Sequence, residues 1–191
     1  MPSHFKALLD ACVLFPAALR DTLLRAAARG HYVVLWSDLI LDEATRNLVE
    51  KGFMNESQAA HLVGQMASYF PGAKVTGFES LLPSMTNDEK DRHVLAAAVV
   101  GDAEVIVTSN FKHFPESALA PFGIEAQSPD EFLMRLVDLY PRDMVRIVLA
   151  QTEDLRHPPM SVDEVLDDIA LQAPRFADSI RQALETRSPW R

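Results

Sequence analysis

Acidic side chains recur where predicted strands end and predicted helices begin. Asp10 lies inside the apolar run Ala7–Leu14, Glu43 lies in a predicted helix, and Asp91 lies in the first turn of another. An ionised carboxylate in an apolar setting is costly unless it is paired, hydrogen-bonded or bound to a metal. Hard cations such as Mg2+ take oxygen ligands, and one or two carboxylates, water and phosphate usually complete the shell. The three side chains are therefore candidate ligands for Mg2+, an ion that can generate a hydroxide nucleophile and neutralise charge on a reacting phosphate.

Each of these positions also has an explanation that needs no metal. Asp10 could accept hydrogen bonds from loop amides, and most helical glutamates like Glu43 are merely solvated. Asp88 and Asp91 stand three residues apart and could cap their helix, where the helix dipole favours anions. Their joint occurrence at successive element ends, without a competing catalytic motif, favours one common site.

Strand-like and helical patterns alternate through the first 140 residues. The strand-like runs are Phe5–Phe15, Tyr32–Trp36, the weak Ala73–Thr76, Val105–Thr108 and Gly123–Ala126. This alternation predicts an α/β fold in which helices sandwich a parallel β-sheet. In such a sheet, ligands bind beyond the carboxyl ends of the strands. Asp10 and the polar Thr108-Ser109-Asn110 follow two of these runs.

The pattern changes after Tyr140-Pro141, where strand-like runs stop and three short helices are predicted. We therefore expect one α/β domain over residues 1–140 and a small α-helical C-terminal extension over residues 141–191. Apolar residues repeat at helical spacing in this extension, so its helices should pack against the core or against a partner.

Composition narrows the class of protein. The 191 residues carry a formal net charge of -9, which argues against a general nucleic-acid coat and restricts any RNA contact to a local patch. The single cysteine, Cys12, excludes an intrachain disulfide and a cysteine-rich zinc site. No uncharged run approaches the roughly 20 residues of a membrane helix. We expect a cytoplasmic protein without a membrane segment.

Four segments together resemble the PIN-domain nucleases, and among them the VapC-like toxins of toxin–antitoxin pairs. They are Leu9–Leu14, Ser37 with Glu43, Asp88–Ala98 and Val107–Pro115. The resemblance covers roughly residues 4–140. It implies a parallel sheet between helices, dependence on Mg2+ or Mn2+, endonucleolytic cleavage of RNA and a cognate antitoxin partner, and it leaves a homodimer open.

The family's acidic positions correspond to Asp10, Glu43 and Asp91 as metal ligands, with Asp88 as an accessory carboxylate. Many members place an aspartate after the threonine of the fourth predicted strand, but this chain has Asn110 there. Asn110 can orient a water or a ligand but brings no charge, which places a second metal ion in doubt. We count it with the four carboxylates as a candidate catalytic residue.

Candidate RNA contacts lie beside these acids. Arg92 and Lys112 flank them, whereas simple solvation is favoured for Lys90; Thr108 and Ser109 are further candidates. The lone histidines, His93 and His113 among them, are more often surface or capping residues than ligands. His113 could still meet RNA.

Other classes fit less well. A haloacid dehalogenase-type hydrolase would need a second aspartate where Cys12 stands, a dinucleotide fold would need a glycine-rich turn, and an acyl hydrolase would need G-x-S-x-G. Two alternatives stay open: a degenerate, non-catalytic PIN module that acts as a protein or RNA scaffold, and a housekeeping RNA-processing nuclease.

Overall fold

The computed structural model describes residues 5–156 and 158–186. The described chain forms two compact units. The first consists of residues up to Pro16 together with Tyr32–Gln127. The second consists of Ala17–His31 together with the residues from Ser128 onward.

The first unit is built on a four-stranded parallel sheet with the strand order β2-β1-β3-β4. Its strands are β1 (Lys6–Leu9), β2 (Val33–Leu35), β3 (Val105–Val107) and β4 (Glu125–Gln127). Leu8 of β1 pairs with Leu35 on one side and with Ile106 on the other. The central strands β1 and β3 are buried on both faces, as their continuous apolar runs predict.

Helices connect these strands in the predicted alternation. The first unit contains α1 (Ala11–Leu14), α3 (Asp38–Glu50), α4 (Glu56–Tyr69), α5 (Arg92–Val100) and α6 (Glu116–Leu119). Four 3-10 segments lie between them: Glu79–Ser84, Glu89–Asp91, Phe111–His113 and Ala120–Phe122. Helix α5 packs on both central strands, so the segment that carries Asp88 and Asp91 is anchored to the sheet.

Three predicted elements differ from the structure. The run Phe5–Phe15 is not one strand, because Asp10 accepts a hydrogen bond from Ala11 N and starts α1 there. Ala73–Thr76 contributes only an isolated bridge between Lys74 and Trp36. The fourth strand of the sheet begins at Glu125, two residues later than the predicted Gly123.

The second unit is helical. It contains α2 (Ala17–Ala28), α7 (Pro129–Leu139), α8 (Pro141–Asp154), α9 (Val162–Ala170) and α10 (Pro174–Glu185). The last three are the helices predicted after Tyr140. The expected extension began at residue 141. In the structure the helical unit also includes α2 and α7, because both pack with the helices that follow Tyr140. Within the described residues, no helix is long and apolar enough to cross a membrane.

Candidate active site

Asp10 and Thr108 lie side by side at the carboxyl edge of the sheet. Each follows the last residue of a central strand, β1 or β3, and Asp10 N donates to Val107 O across 3.1 Å. The parallel pairing of β1 and β3 brings the two residues together, although 98 positions separate them in the chain. The structure therefore places Asp10 where the sheet topology predicts a ligand site.

Three donors hold the Asp10 carboxylate in a buried position. Ala11 N donates to Oδ1 at 2.7 Å, Thr108 Oγ1 donates to Oδ2 at 2.7 Å, and the Cys12 thiol donates to Oδ2 at 3.3 Å. The residue is only 6% exposed. A carboxylate offers about four lone-pair sites, so these bonds leave room for one further cation or donor.

Neighbouring carboxylates contribute to the raised pKa values of Asp10 and Glu43. Burial raises the pKa of Asp10, and the charge of Asp91 raises it further against the opposing hydrogen bonds from Thr108 and Cys12. Burial likewise raises the pKa of Glu43, followed by repulsion from Asp10 and Asp91, with Arg46 acting in the opposite direction. The three carboxylates therefore repel one another across one region, and a cation would relieve that repulsion.

Asp88 and Asp91 lie at the start of the segment that leads into α5. Asp88 Oδ1 accepts from Lys90 N at 3.0 Å and caps the 3-10 turn Glu89–Asp91. Asp88 therefore caps the segment, as the explanation without a metal expected. The Asp91 side chain makes no capping hydrogen bond. Asp91 Oδ2 instead lies 2.7 Å from His113 Nδ1 and 3.4 Å from Asn110 Nδ2.

Two histidines that the sequence suggested were surface or capping residues contact the acids. His113 lies between Asp91 and Asp88, and its Nε2 is 3.9 Å from Asp88 Oδ2. His93 Nε2 is 3.8 Å from Glu43 Oε2. Burial lowers the pKa of His93, against the attraction of Asp91 and Asp10. The spacing Asn110-x-x-His113, one turn of a 3-10 helix, is the sequence signal that could have linked His113 to Asn110.

The side chains predicted to contact RNA differ in their exposure to solvent. Thr108 is fully buried, and its hydroxyl donates to Asp10. Ser109 and Lys112 are exposed, whereas Arg92 is half-buried. Ser109 N donates to Cys12 Sγ at 3.3 Å. Arg92 and Lys112 remain predictions as RNA contacts.

The donor set fits a hard divalent cation in type and charge. Asp10, Glu43 and Asp91 offer carboxylate oxygens that repel one another. Over residues 5–156 and 158–186, no three acidic, cysteine or histidine side chains form a group that could hold a metal ion, so the expected convergence of Asp10, Glu43 and Asp91 on one cation is not seen in this structure. Mg2+ commonly takes only one or two carboxylates, with water and substrate phosphate as further ligands, so it does not require such a trio.

Residues 6–112 match the family model of the PIN domain. The chain belongs to the PIN-domain family. Asp10, Glu43, Asp91, Thr108 and Asn110 all lie within the part of the chain that this PIN-domain model covers.

A second family model, the VapC50 C-terminal domain, matches residues 129–182 and therefore spans α7 to most of α10. A protein of Mycobacterium tuberculosis named "Putative ribonuclease VapC50" is 43% identical over 114 residues, which cover 60% of this chain and 68% of that protein. No solved structure shows a significant match to the chain. The helices that follow the PIN domain thus match a domain model named for VapC50.

Proposed function

We propose that this PIN-domain protein is a metal-dependent endoribonuclease and the toxin of a toxin–antitoxin pair. The observation that carries the proposal is the buried Asp10 carboxylate at the carboxyl edge of the parallel sheet, which Ala11 N and Thr108 Oγ1 hold in place. The family membership and the relative named a ribonuclease support the same conclusion.

Asp10, Glu43 and Asp91 would hold Mg2+ or Mn2+. When bound, such an ion supplies Lewis-acid stabilisation of the charge that develops on the phosphate. The protein's own residues prepare the site for it: Thr108 and Ala11 N fix the orientation of Asp10. Because these donors are backbone and buried groups, the carboxylate needs little reorganisation when substrate arrives.

Substrate binding would rest on a small basic patch, since the chain is acidic overall. Lys112 follows the carboxyl end of β3, and Arg92 begins α5, so both lie close in sequence to the acids. A single-stranded RNA backbone would contact these two cations while its scissile phosphate faces the carboxylates. A cognate antitoxin would act as the inhibitory protein partner.

Incubation of the full chain with total RNA and Mg2+ or Mn2+ tests the proposal. Wild-type protein should cleave RNA, and chelation with EDTA should stop cleavage until the ion is restored. Asp10→Asn and Glu43→Gln should each lose about 100-fold or more, because removal of a metal ligand forfeits several kcal/mol of transition-state stabilisation.

The neighbour of Glu43 provides a matched control. Asp42 is exposed on α3 and carries the same charge, so Asp42→Asn should cleave at the wild-type rate. Equal activity of wild type and Asp10→Asn would exclude catalysis at this site and favour the alternative of a non-catalytic PIN scaffold, for which Asn110 is the supporting feature. A small antitoxin gene directly adjacent would distinguish a toxin from a housekeeping nuclease.

A further inference from the structure

Phe53 is an aromatic residue that the backbone holds at the surface of the first unit. It follows α3, whose end is closed by Gly52 in the left-handed region. Phe53 N donates to Leu48 O at 2.9 Å, which fixes its place in the loop. A helix end of this kind commonly has an apolar contact between the two residues that share this bond. Here Leu48 is buried but Phe53 is 68% exposed, so most of the ring lies in solvent.

A second ring and a cation lie beside Phe53. The rings of Phe15 and Phe53 meet edge to face, with centroids 5.6 Å apart and planes at 82°. Lys51 Nζ lies 4.7 Å from the centroid of the Phe15 ring, within range of a cation–π interaction. Among the residues that the structure describes, no carboxylate forms a salt bridge with Lys51. A nucleotide strand complements this surface, because it has flat bases for the rings and negative phosphates for the lysine.

The aromatic pair lies one helical turn from Asp10. Asp10 starts α1, and Phe15 ends it, with Phe15 N donating to Ala11 O at 3.1 Å. Phe15 therefore lies roughly 7.5 Å along the helix axis from Asp10. Successive nucleotides of a stacked strand advance about 3.4 Å each. A phosphate at Asp10 and a base at the aromatic pair would thus belong to the same short stretch of RNA.

A similar combination recurs after the other central strand. Phe111 is 43% exposed and is followed by the exposed Lys112. Both come after the carboxyl end of β3, where Thr108 contacts Asp10. An aromatic ring with a nearby lysine therefore follows each of the strands that place the candidate active site. Surfaces that bind single-stranded nucleic acids combine aromatic rings and positive charge in this way.

We propose that Phe53, together with Phe15 and Lys51, stacks an unpaired base of the RNA substrate beside the active site. The inference rests on the proposed function and names its substrate class as single-stranded RNA. Stacking accepts any base, because every base has a π-face. The bases of a duplex remain paired and stacked on one another, so duplex RNA offers no free base to this site.

Binding of two matched strands tests the inference: an unstructured RNA of about 12 nucleotides and an abasic ribose-phosphate strand of equal length. The full-length protein with Asp10→Asn serves as the parent, so that the RNA is not cleaved. The parent should bind the RNA more tightly than the abasic strand. Phe53→Ala in this parent should weaken RNA binding about 10-fold, as expected for the loss of one stacked base. It should leave binding of the abasic strand unchanged, because the phosphates are the same.

Two further variants serve as controls. Phe53→Trp keeps a ring and should bind RNA like the parent, and RNA but not the abasic strand should quench the fluorescence of the added tryptophan. Tyr69 is 79% exposed but ends α4, roughly 20 Å along the helix from its first residue, so Tyr69→Ala should bind RNA like the parent. Melting curves show whether each variant is folded.

Equal RNA binding by the parent and Phe53→Ala would overturn the inference, and this result is expected if the surface binds a protein instead. An equal loss for both strands would also overturn it, because a ring cannot stack on a strand without bases. A parent that binds neither strand would refute it as well.

Cleavage measured with Asp10 restored separates this inference from the proposed function. Phe53→Ala should raise KM about 10-fold and change kcat little, because the lost contact is made before and during the reaction. Cleavage with KM and kcat unchanged by Phe53→Ala would refute the stacking site alone. If the protein cleaves no RNA with Mg2+ or Mn2+ but its RNA binding still depends on Phe53, the proposed nuclease is refuted and the stacking site stands.

Discussion

Asp10 is a buried carboxyl group whose hydrogen bonds oppose the effect of burial on its pKa. Burial and the neighbouring Asp91 disfavour its charged form, whereas the bonds from Thr108, Cys12 and Ala11 N favour it. Ionised Asp10 therefore lowers the stability of the metal-free protein, and a bound cation would offset this effect.

The Thr108 hydroxyl connects Asp10 to the loop that carries Asn110. It donates to Asp10 Oδ2 at 2.7 Å and accepts from Asn110 N at 3.0 Å. Thr108→Val preserves the shape but breaks both bonds, so unfolding free energy should fall by about 1–3 kcal/mol and RNA cleavage should weaken. Thr108→Ser retains the hydroxyl and should keep cleavage near the wild-type level. Equal cleavage by the valine variant would show that the hydroxyl does not position Asp10.

The pH dependence of stability should reveal the buried charge of Asp10. Its pKa is raised above the ordinary value of 3.8, so the folded state binds this proton more tightly than the unfolded state does. The destabilising contribution therefore develops as pH rises from about 4 through the folded-state pKa and is complete above it. In metal-free buffer Asp10→Asn should melt at a higher temperature than wild type at pH 7, and the difference should shrink towards pH 4.

Thermal melts at several pH values check this expectation, with about 2–4 °C corresponding to 1 kcal/mol for a chain of this size. Added Mn2+ should raise the melting temperature of the wild type more than that of Asp10→Asn. The exposed Asp42→Asn serves as a control and should parallel the wild type at every pH. A constant difference between Asp10→Asn and wild type from pH 4 to pH 7 would contradict the argument.

At the scale of elements, helix α5 is followed at its C-terminal end by the tightly packed Gly101 and preceded at its N-terminal end by Asp91. The packing of Gly101 helps to fix the helix, and so the segment that carries Asp91. A Cβ on Gly101 would lie 2.8 Å from Leu35 Cδ1, 3.0 Å from Val75 Cγ2 and 3.1 Å from Ala97 O. Leu35 belongs to β2, so a Cβ added at the end of α5 would force the Leu35 side chain or its neighbours to shift. Any shift here would be transmitted along α5 to Asp91.

Gly101→Ala should therefore lower the unfolding free energy by about 1–3 kcal/mol through overpacking. Gly64 offers the matched control, because it lies in α4 with no atom within 4 Å of an added Cβ. Gly64→Ala should stabilise the protein by about 0.5–1 kcal/mol, as expected for an exposed helical glycine. Denaturant unfolding of both variants measures the contrast. Equal effects of the two substitutions would mean that the contact with Leu35 relaxes freely.

Local signals predicted the elements well where one segment determines its own structure. Ser128-x-x-Glu131 and Asn55-x-x-Gln58 have the sequence of a capping box, and each forms one at the start of α7 or α4. The short helix α1 and the 3-10 turn Glu89–Asp91 have a single capping aspartate and no capping box, and one turn has no periodicity to read. Asp10 could be predicted from its apolar surroundings, whereas the contact of His113 with Asp91 spans 22 positions and depends on tertiary packing.

At the scale of the whole molecule, the acidic chain must confine RNA binding to a few cations. Arg92→Ala and Lys112→Ala should each weaken RNA binding and reduce its log–log salt slope by about 0.7, the value for one phosphate contact on a single strand. Lys90→Ala, an exposed lysine in the same region, should leave the slope unchanged. Binding is measured in the Asp10→Asn background to prevent cleavage. Identical slopes for all three variants would exclude a local basic patch.

Truncation after Tyr140 tests whether the C-terminal helices complete a core or serve a partner. In the second unit, Thr22 Oγ1 of α2 donates to Gln151 Oε1 at 2.7 Å, and Gln151 Nε2 donates to Ala18 O at 2.9 Å. Helix α2 also buries Leu19 and Leu23. Removal of α8–α10 strips α2 of these partners, so the product should aggregate and bind hydrophobic dyes.

Full-length Gln151→Ala should stay folded but lose about 1–3 kcal/mol of stability, because the buried Thr22 loses a partner. A soluble, active product of truncation that no longer binds its antitoxin would instead assign the three helices to partner recognition. Size-exclusion chromatography and RNA cleavage distinguish the two outcomes.

The order of the chain through its two units also governs synthesis on the ribosome. Helix α2 emerges between β1 and β2, but its partner Gln151 is 129 residues further along the chain than Thr22. At about 5–20 residues per second, the bond between them cannot form until roughly 6–26 seconds after Thr22 is made. Throughout that interval the apolar stripe of α2 lacks α8, so the nascent chain is a substrate for chaperones until its last helices emerge.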